Sequence, residues 1–334
     1  MKIEKDISLQ KVNTLGVCTT ASHFVVVSSV KELEQAISFA NENNLKWLVI
    51  GEGSNICFED NKIEKLVIKI NIAGIEVLDD AVVVGAGEGW DSFVSQAIKF
   101  NVPYIENLSG IPGTVGASPI QNIGAYGVEL KDIVRWVEIY DCNTNETKKL
   151  HKDDCQFSYR DSVFKKPEGR NYIVTSVAFK RTKDSDVCVS YKDLATYFNK
   201  YVPNKKEVRQ AVLKIRSEKF PDLSIYGTAG SFFKNPIISM KKYKELQGKY
   251  SGLPSYDVSA GKKKIPLAWI LDKVCNLKGH REGNVWLHEH QPLILVTDKN
   301  ATGEEIKKFS EKIKKIVFEK TKIKIENEVV FEND

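Results

Sequence analysis

Apolar residues recur along the chain with two spacings, and these spacings predict a mixture of strands and helices. His23–Val27 and Trp47–Ile50 are short runs rich in β-branched and aromatic residues, so both are predicted strands. Between them, Ser29 precedes apolar residues at helical spacing, and Glu32 stands three positions later. This pattern predicts a capped helix that ends at Asn43.

The alternation of strand and helix continues through the middle of the chain. A predicted strand at Ala81–Val84 leads into a glycine-rich turn and then a helical stripe that begins at Trp90. A later helix through Val208 must end before Phe220, because Pro221 lacks a backbone donor and restrains the preceding residue. Three further strands are predicted at Val134–Tyr140, Glu146–Leu150 and Asn171–Lys180.

The last third of the chain again mixes the two element types. Thr302 and Glu305 form a capping-box pattern ahead of an apolar helical face, and Ile323–Phe331 is a predicted strand. The chain has 334 residues, which at ~150 residues per domain favours two or three domains. Together these patterns predict the α+β fold class, with a domain boundary near residue 218.

Composition excludes several protein classes. Hydrophobic residues are 42% and charged residues 28% of the chain, which is typical of globular proteins and excludes general disorder. The net charge of +5 is too weak to favour nucleic acid but suits an anionic small molecule. No segment is long and apolar enough for a membrane span, and the N-terminus does not resemble a secretory signal. The six cysteines contain no CxxC pair, so we expect reduced thiols in a cytoplasmic protein.

Two glycine-rich loops follow predicted strands, at Gly51–Asn55 and Gly85–Gly89. Neither has the GxGxxG spacing of dinucleotide-binding proteins, because Ile56 and Trp90 stand where the third glycine should be. An ordinary Rossmann fingerprint is therefore disfavoured.

The segment Asn107–Val128 contains no Asp, Glu, Lys or Arg in 22 residues. At the chain's own charged fraction, about six such residues are expected there. Its five glycines leave backbone amides accessible, as required for an anion-binding nest around a diphosphate. A tightly packed loop is the competing interpretation. The presence of another glycine-rich loop, at Gly51–Asn55, favours the interpretation as a cofactor-binding segment.

Five motifs give the chain a recognisable resemblance. They are VIGEGSN, NLSGIPGTVGASPIQNIGAYGVEL, YRDSVFK, GTAGSFFKNP and IENEV, in this order from residue 49 to residue 329. The chain resembles the bacterial UDP-N-acetylenolpyruvoylglucosamine reductases, and YRDSVFK with Tyr191-Lys-Asp-Leu is similar to the longer type, which has an extra loop over the substrate. The resemblance implies a two-part FAD-binding module of the vanillyl-alcohol-oxidase-like type and a separate α+β substrate domain. The implied divisions are 1–75 joined by the C-terminal strand 320–334, then 76–218, and the substrate domain at 219–319.

The resemblance also implies the cofactor and the residues that bind it. FAD would be tightly bound, NADPH would serve as the hydride-donating substrate, and the protein would act as a monomer. The residues that match FAD-binding positions are Gly51, Gly53, Ser54, Asn55, Gly110, Pro112, Gly113, Thr114, Gly116, Ala117, Gln121, Asn122, Gly124, Ala125 and Tyr126.

The implied reaction reduces the enolpyruvyl ether of a UDP-sugar to a lactyl ether. Hydride addition to the β-carbon places negative charge on the adjacent carboxylate, so the site needs a cation there and an acid for the α-carbon. Arg160 matches the enolate-stabilising arginine, Ser231 the proton donor and Glu328 the assisting carboxylic acid. The three must meet in space to act together. Tyr191, Lys219 and Asn235 match substrate-binding positions.

Two alternatives remain at this point. An FAD-dependent oxidase of the same fold would not need Ser231, Arg160 and Glu328 together. A non-catalytic nucleotide-sugar or metal-binding protein is the other, since His280, His288 and His290 lie near Cys275 and Glu289. No CxxC or HExxH pattern accompanies these histidines, so we expect no metal site.

Overall fold

The computed structural model describes residues 1–183 and 186–333. Within these residues the α-helices are α1 (Val30–Glu42), α2 (Trp90–Ala97), α3 (Leu130–Ile133), α4 (Lys192–Phe198), α5 (Lys205–Lys219), α6 (Met240–Lys249), α7 (Leu267–Trp269) and α8 (Gly303–Thr321). The strands are β1 (Glu4–Ser8), β2 (Thr20–Val27), β3 (Trp47–Ile50), β4 (Ile56–Phe58), β5 (Lys62–Ile70), β6 (Ile75–Val77), β7 (Ala81–Gly85), β8 (Gly124–Ala125), β9 (Val128–Glu129), β10 (Val134–Asp141), β11 (Glu146–His151), β12 (Tyr172–Lys180), β13 (Gly227–Ser231), β14 (Ile237–Ser239), β15 (Tyr256–Ser259), β16 (Lys262–Lys264), β17 (Arg281–Glu282), β18 (Val285–Leu287), β19 (Ile294–Thr297) and β20 (Val330–Glu332). No helix of the described ranges is long and apolar enough to cross a bilayer.

The chain divides into two compact units, and it passes between them several times. The first unit comprises Met1–Ile7, Ala21–Glu52 and Glu64–Ser217. The second comprises Ser8–Thr20, Gly53–Ile63 and the chain from Glu218 onward. The division at 75, 218 and 319 expected from the sequence stays a prediction.

The first unit contains two larger sheets and the two-stranded sheet β8-β9. One has the order β1-β2-β5-β3, and the other is antiparallel with the order β11-β10-β12-β7-β6. Helix α2 buries Trp90 and Phe93 against the second sheet, where the Phe93 and Phe179 ring centroids lie 4.7 Å apart. Both rings are fully buried or nearly so, which anchors the turn that precedes α2.

The second unit has its own core. Its antiparallel sheet has the order β13-β19-β18-β17, and α8 contributes Ile306, Phe309 and Ile313 to the same apolar cluster. Strand β20 pairs in parallel with β4, with Val330 opposite Ile56. Mixed sheets and helices of this kind confirm the predicted α+β class.

Both predicted helix starts are confirmed. The Ser29 hydroxyl accepts a hydrogen bond from the Glu32 amide at 3.2 Å, although the Glu32 carboxylate accepts from the Ser28 amide rather than from Ser29. Thr302 and Glu305 form both bonds of the capping box. The predicted strand at Ile323–Phe331 is wrong for most of its length, since only Val330–Glu332 is a strand. The preceding residues instead pair one at a time with residues 232–234, so no continuous ladder forms there.

Candidate active site

The glycine-rich segment of the first unit runs beside the turn that follows β7. The amide of Val115 donates to the Glu88 carbonyl at 2.8 Å, and that of Gly116 to the Ala86 carbonyl at 2.9 Å. A Cβ on Gly116 would lie 2.5 Å from the Ala86 Cβ, so only glycine fits there. The amide of Trp90, the first residue of α2, donates to the Gly113 carbonyl at 2.9 Å. Main-chain bonds therefore fix this part of the segment.

The first glycine-rich loop reaches the segment within the same unit. A Cβ on Gly51 would lie 2.5 Å from the Thr114 hydroxyl oxygen, so the Gly51 backbone packs closely against the Thr114 side chain. Next to it, the Gly113 amide donates to Oε2 of Glu52 at 3.0 Å. The structure thus brings Gly51, Gly113 and Thr114 together. Gly53, Ser54 and Asn55 belong to the second unit.

A half-buried ion pair between Asp91 and Arg209 lies next to Gly110. Asp91 binds Arg209 through both carboxylate oxygens, at 2.6 and 2.8 Å, and accepts the Gly110 amide at 2.6 Å. Burial would raise the pKa of Asp91, but the hydrogen bonds from Arg209 and Gly110 hold it below its usual value. The charged carboxylate of Asp91 therefore holds the backbone at Gly110 in place.

Glu106 comes four residues before Gly110 in the chain, and its side chain is 0% exposed. Neither of its carboxylate oxygens has a hydrogen-bond partner among the described residues. Burial raises the pKa of Glu106 to about 7, and the charge of Lys205 opposes this only in part. The sequence analysis assigned no role to Glu52, Asp91 or Glu106. The available signal was their position, as acids within or beside stretches of glycine-rich backbone.

Arg160 lies against the second half of the glycine-rich segment. The Ser162 hydroxyl donates to the Ile120 carbonyl at 2.6 Å, and Nδ2 of Asn122 donates to the Ser158 carbonyl at 3.0 Å. Between these two bonds, Arg160 has a φ of 55° and its guanidinium donates to the Gly124 carbonyl at 3.2 Å. A left-handed conformation is unfavourable for arginine, and residues held in this way cluster at functional sites.

Tyr191 lies at the end of the segment. Its ring meets that of Tyr126 edge-to-face, with centroids 5.5 Å apart. Nδ2 of Asn107 donates to the carbonyls of Tyr126 and Cys188, which ties the chain before Tyr191 to the segment. Burial raises the pKa of Tyr126 to about 12, so its phenol is neutral at physiological pH. The structure therefore brings Tyr191 and the end of the predicted FAD-binding segment together.

Ser231 lies in the second unit, directly after a bulge between β13 and β19. Gly230 has a φ of 75°, its amide donates to the Thr228 hydroxyl oxygen, and a Cβ on it would meet nothing within 4 Å. Bulges of this kind redirect side chains next to active sites. Open space beside the backbone suits the close approach of a flat ring.

Glu328 lies next to the Ser231 region because its main chain is hydrogen-bonded there. Its amide donates to the Phe232 carbonyl at 2.8 Å, and Nδ2 of Asn55 donates to the Glu328 carbonyl at 3.2 Å. Glu328 is 8% exposed, so it does not belong to a solvated strand face. Asn55, Ser231 and Glu328 are thus brought together within the second unit.

The remaining predicted substrate residues also lie in the second unit. Lys219 is the last residue of α5, and Oδ1 of Asn235 accepts the Leu267 amide at the start of α7, at 2.8 Å. Lys234, three residues after Ser231, forms an ion pair with Glu326 at 3.2 Å. The predicted residues thus form two sets. The first unit holds Gly51, Gly110–Tyr126, Arg160 and Tyr191. The second unit holds Gly53, Ser54, Asn55, Lys219, Ser231, Asn235 and Glu328.

These residues fit the chemistry of a flavin dinucleotide. Glycine backbone replaces side chains along the first set, which suits a diphosphate, and the open position at Gly230 suits a ring. Oδ1 of Asn327, next to Glu328, is buried and has no hydrogen-bond partner among the described residues. Such a buried polar atom in a native chain is expected to meet a partner.

Comparisons with known proteins identify the family and its FAD-binding domain. Residues 21–149 match the model of an FAD binding domain, and residues 222–332 match that of the UDP-N-acetylenolpyruvoylglucosamine reductase C-terminal domain. Relatives named UDP-N-acetylenolpyruvoylglucosamine reductase include one from Flavobacterium johnsoniae, 39% identical over 98% of this chain and 99% of the relative. Another, from Polynucleobacter asymbioticus, is 38% identical over 94% of this chain and 93% of the relative. The crystal structure of the Thermus caldophilus reductase shares the fold, with a TM-score of 0.71 and 22% identity over 100% of both chains.

Proposed function

Because the chain belongs to the UDP-N-acetylenolpyruvoylglucosamine reductase family, we propose that it reduces UDP-N-acetylglucosamine enolpyruvate to UDP-N-acetylmuramate with FAD and NADPH. The reaction belongs to the synthesis of peptidoglycan precursors. The observation that carries the proposal is the near full-length identity to reductases of this name. The local geometry supports it, because Ser231 and Glu328 are ordered by a bulge and by shared main-chain bonds.

FAD, when bound, supplies the hydride transfer from NADPH to the substrate. We assign its binding to the glycine-rich backbone at Gly51–Asn55 and Gly110–Tyr126. The contact between Gly51 and Thr114 supports this assignment, because these two residues, one from each loop, lie side by side within the first unit.

The chain's own side chains handle the charge and the proton. Arg160 binds the substrate carboxylate through its planar guanidinium, where negative charge grows as hydride reaches the β-carbon. The Ser231 hydroxyl donates its proton to the α-carbon, and Glu328 assists as a carboxylic acid. Tyr191 and Lys219 hold the UDP diphosphate, and Asn235 binds the substrate from the start of α7. The left-handed backbone at Arg160 supports a functional role for that residue.

The test follows the visible absorbance of the purified protein under anaerobic conditions. NADPH should bleach the flavin, and the enolpyruvyl UDP-sugar should then restore its colour without oxygen. Recovery only on admission of oxygen would favour an oxidase of the same fold. A colourless protein that binds UDP-sugars would contradict the proposal and favour a non-catalytic binding protein.

We also propose that the enzyme acts as a monomer in the cytoplasm, where NADPH and nucleotide sugars are available. Light scattering of the purified protein should give the mass of one chain. A mass of two chains would contradict the monomer without affecting the proposed reaction.

A further inference from the structure

Glu52 belongs to the glycine-rich loop at Gly51–Asn55, which the proposed function assigns to FAD together with Gly110–Tyr126. Its Oε2 accepts the Gly113 amide at 3.0 Å. Hydrogen bonds to a charged carboxylate are stronger than those between neutral groups. The same residue follows Gly51, whose backbone lies against the Thr114 side chain. The two loops therefore touch at two successive positions, and one of these contacts is a charge-assisted bond.

The bond completes the fixation of the Gly113 peptide. Its carbonyl accepts the Trp90 amide, while its own amide is held by Glu52. Pro112 before it has no backbone N–H, and Gly113 has a φ of 114°, which favours glycine. Without these two bonds, a turn of this composition would be among the most mobile backbone in the unit.

Glu52 itself is exposed to solvent, while Gly113 is buried. An exposed acid beside a diphosphate would ordinarily weaken anion binding through charge repulsion. The hydrogen bond provides an opposite effect, since it orders the loop before the cofactor arrives and lowers the entropy lost on binding. The contact requires an acceptor oxygen at position 52, and the negative charge of the carboxylate adds to the strength of the bond.

We propose that Glu52 is a positioning residue for FAD, which fixes the Gly113 amide and joins the two glycine-rich loops. This inference rests on the proposed function. It predicts that a side chain able to accept the Gly113 amide suffices at position 52. Glu52→Gln keeps an acceptor oxygen at the same reach, and Glu52→Ala removes it.

The experiment measures FAD release from the holoenzyme after dilution, by the recovery of FAD fluorescence. Loss of one such bond should make Glu52→Ala release FAD about tenfold faster than the natural protein. Glu52→Gln should stay within about threefold of it. The matched control is Glu32→Ala, because the Glu32 carboxylate also accepts a backbone amide, that of Ser28 at 2.7 Å, in the same unit and outside the assigned loops. This control should release FAD at the natural rate.

Several outcomes would overturn the inference. Slower release from both Glu52 variants would mean that the carboxylate acts mainly by repulsion. Unchanged release from Glu52→Ala would mean that the bond has no role in FAD binding, and equal acceleration by Glu32→Ala would mean a general loss of stability. If the natural protein binds no FAD at all, it is the proposed function that fails. The two failures are thus distinguishable.

Discussion

The glycine-rich segment of the first unit and the Ser231 region of the second unit present chemistry in different ways. The first is built of main chain, which is held in place where the amides of Gly110 and Gly113 donate to the carboxylates of Asp91 and Glu52. The second offers side chains, at Ser231 after a bulge and at Glu328 beside it. A site made of backbone leaves a mark in the sequence, because it excludes charged side chains over a long stretch. A site made of side chains leaves no such mark.

Replacement of Ser231 by alanine is the strongest way to test the second region. The variant lacks the hydroxyl that donates the proton, so reduction of the enolpyruvyl substrate should slow by about 10³-fold or more. Flavin reduction by NADPH should remain within a few fold of the natural rate. Anaerobic stopped-flow measurement of the two half-reactions separates these effects. Equal loss in both would mean that Ser231 orders the site and donates no proton.

Arg160→Lys tests whether the first region also contributes a side chain to the chemistry. Lysine keeps the charge but loses the planar fork, so we expect a loss of about 10²-fold in the second half-reaction. The matched control is Arg135→Lys, at an exposed arginine paired with Asp80 in the same unit. An unchanged rate in Arg160→Lys would show that charge alone is sufficient.

The sequence predicts local features of both units well, and it predicts long-range pairing poorly. The caps at Ser29 and Thr302 depend on residues three positions apart, so the pattern contains all the necessary information. The segment before β20 alternates like a strand, yet its partner changes from residues 232–234 to β4, which no local pattern reveals. The roles of Arg160, Ser231 and Glu328 came from family resemblance alone, because each is an ordinary residue type in its local context.

Glu106 allows a test of the charge balance under the glycine-rich turn. Because burial raises its pKa to about 7, the folded state holds the Glu106 proton more tightly than the unfolded state does. This stabilising contribution is complete below the unfolded pKa and is lost as the pH rises through about 7. From about pH 5 to about pH 8, the natural protein should lose up to about 3 kcal/mol of unfolding free energy relative to Glu106→Gln.

Urea unfolding of both proteins across this pH range provides the measurement for Glu106. The comparison uses the change with pH, because the new amide is itself buried and shifts the absolute stability. Glu76→Gln, at an exposed glutamate of the same unit, is the control and should follow the natural protein. Parallel pH profiles for Glu106→Gln and the natural protein would mean that Glu106 ionises freely when folded.

Two glycines distinguish the regions by the reason for which each is needed. A Cβ on Gly116 would contact Ala86 at 2.5 Å, so Gly116→Ala should overpack the first region and cost about 2 kcal/mol. A Cβ on Gly230 would meet nothing within 4 Å, so Gly230→Ala should cost only the strain of its positive φ, about 1 kcal/mol. Thermal unfolding without FAD should therefore show the larger loss for Gly116→Ala. With FAD present, the difference in stability loss between the two variants should become smaller or change sign. The reason is that the added methyl at Gly230 would occupy the space that suits the flavin ring. A Gly230→Ala protein that gains as much stability from FAD as the natural protein would show that this open position does not receive the cofactor.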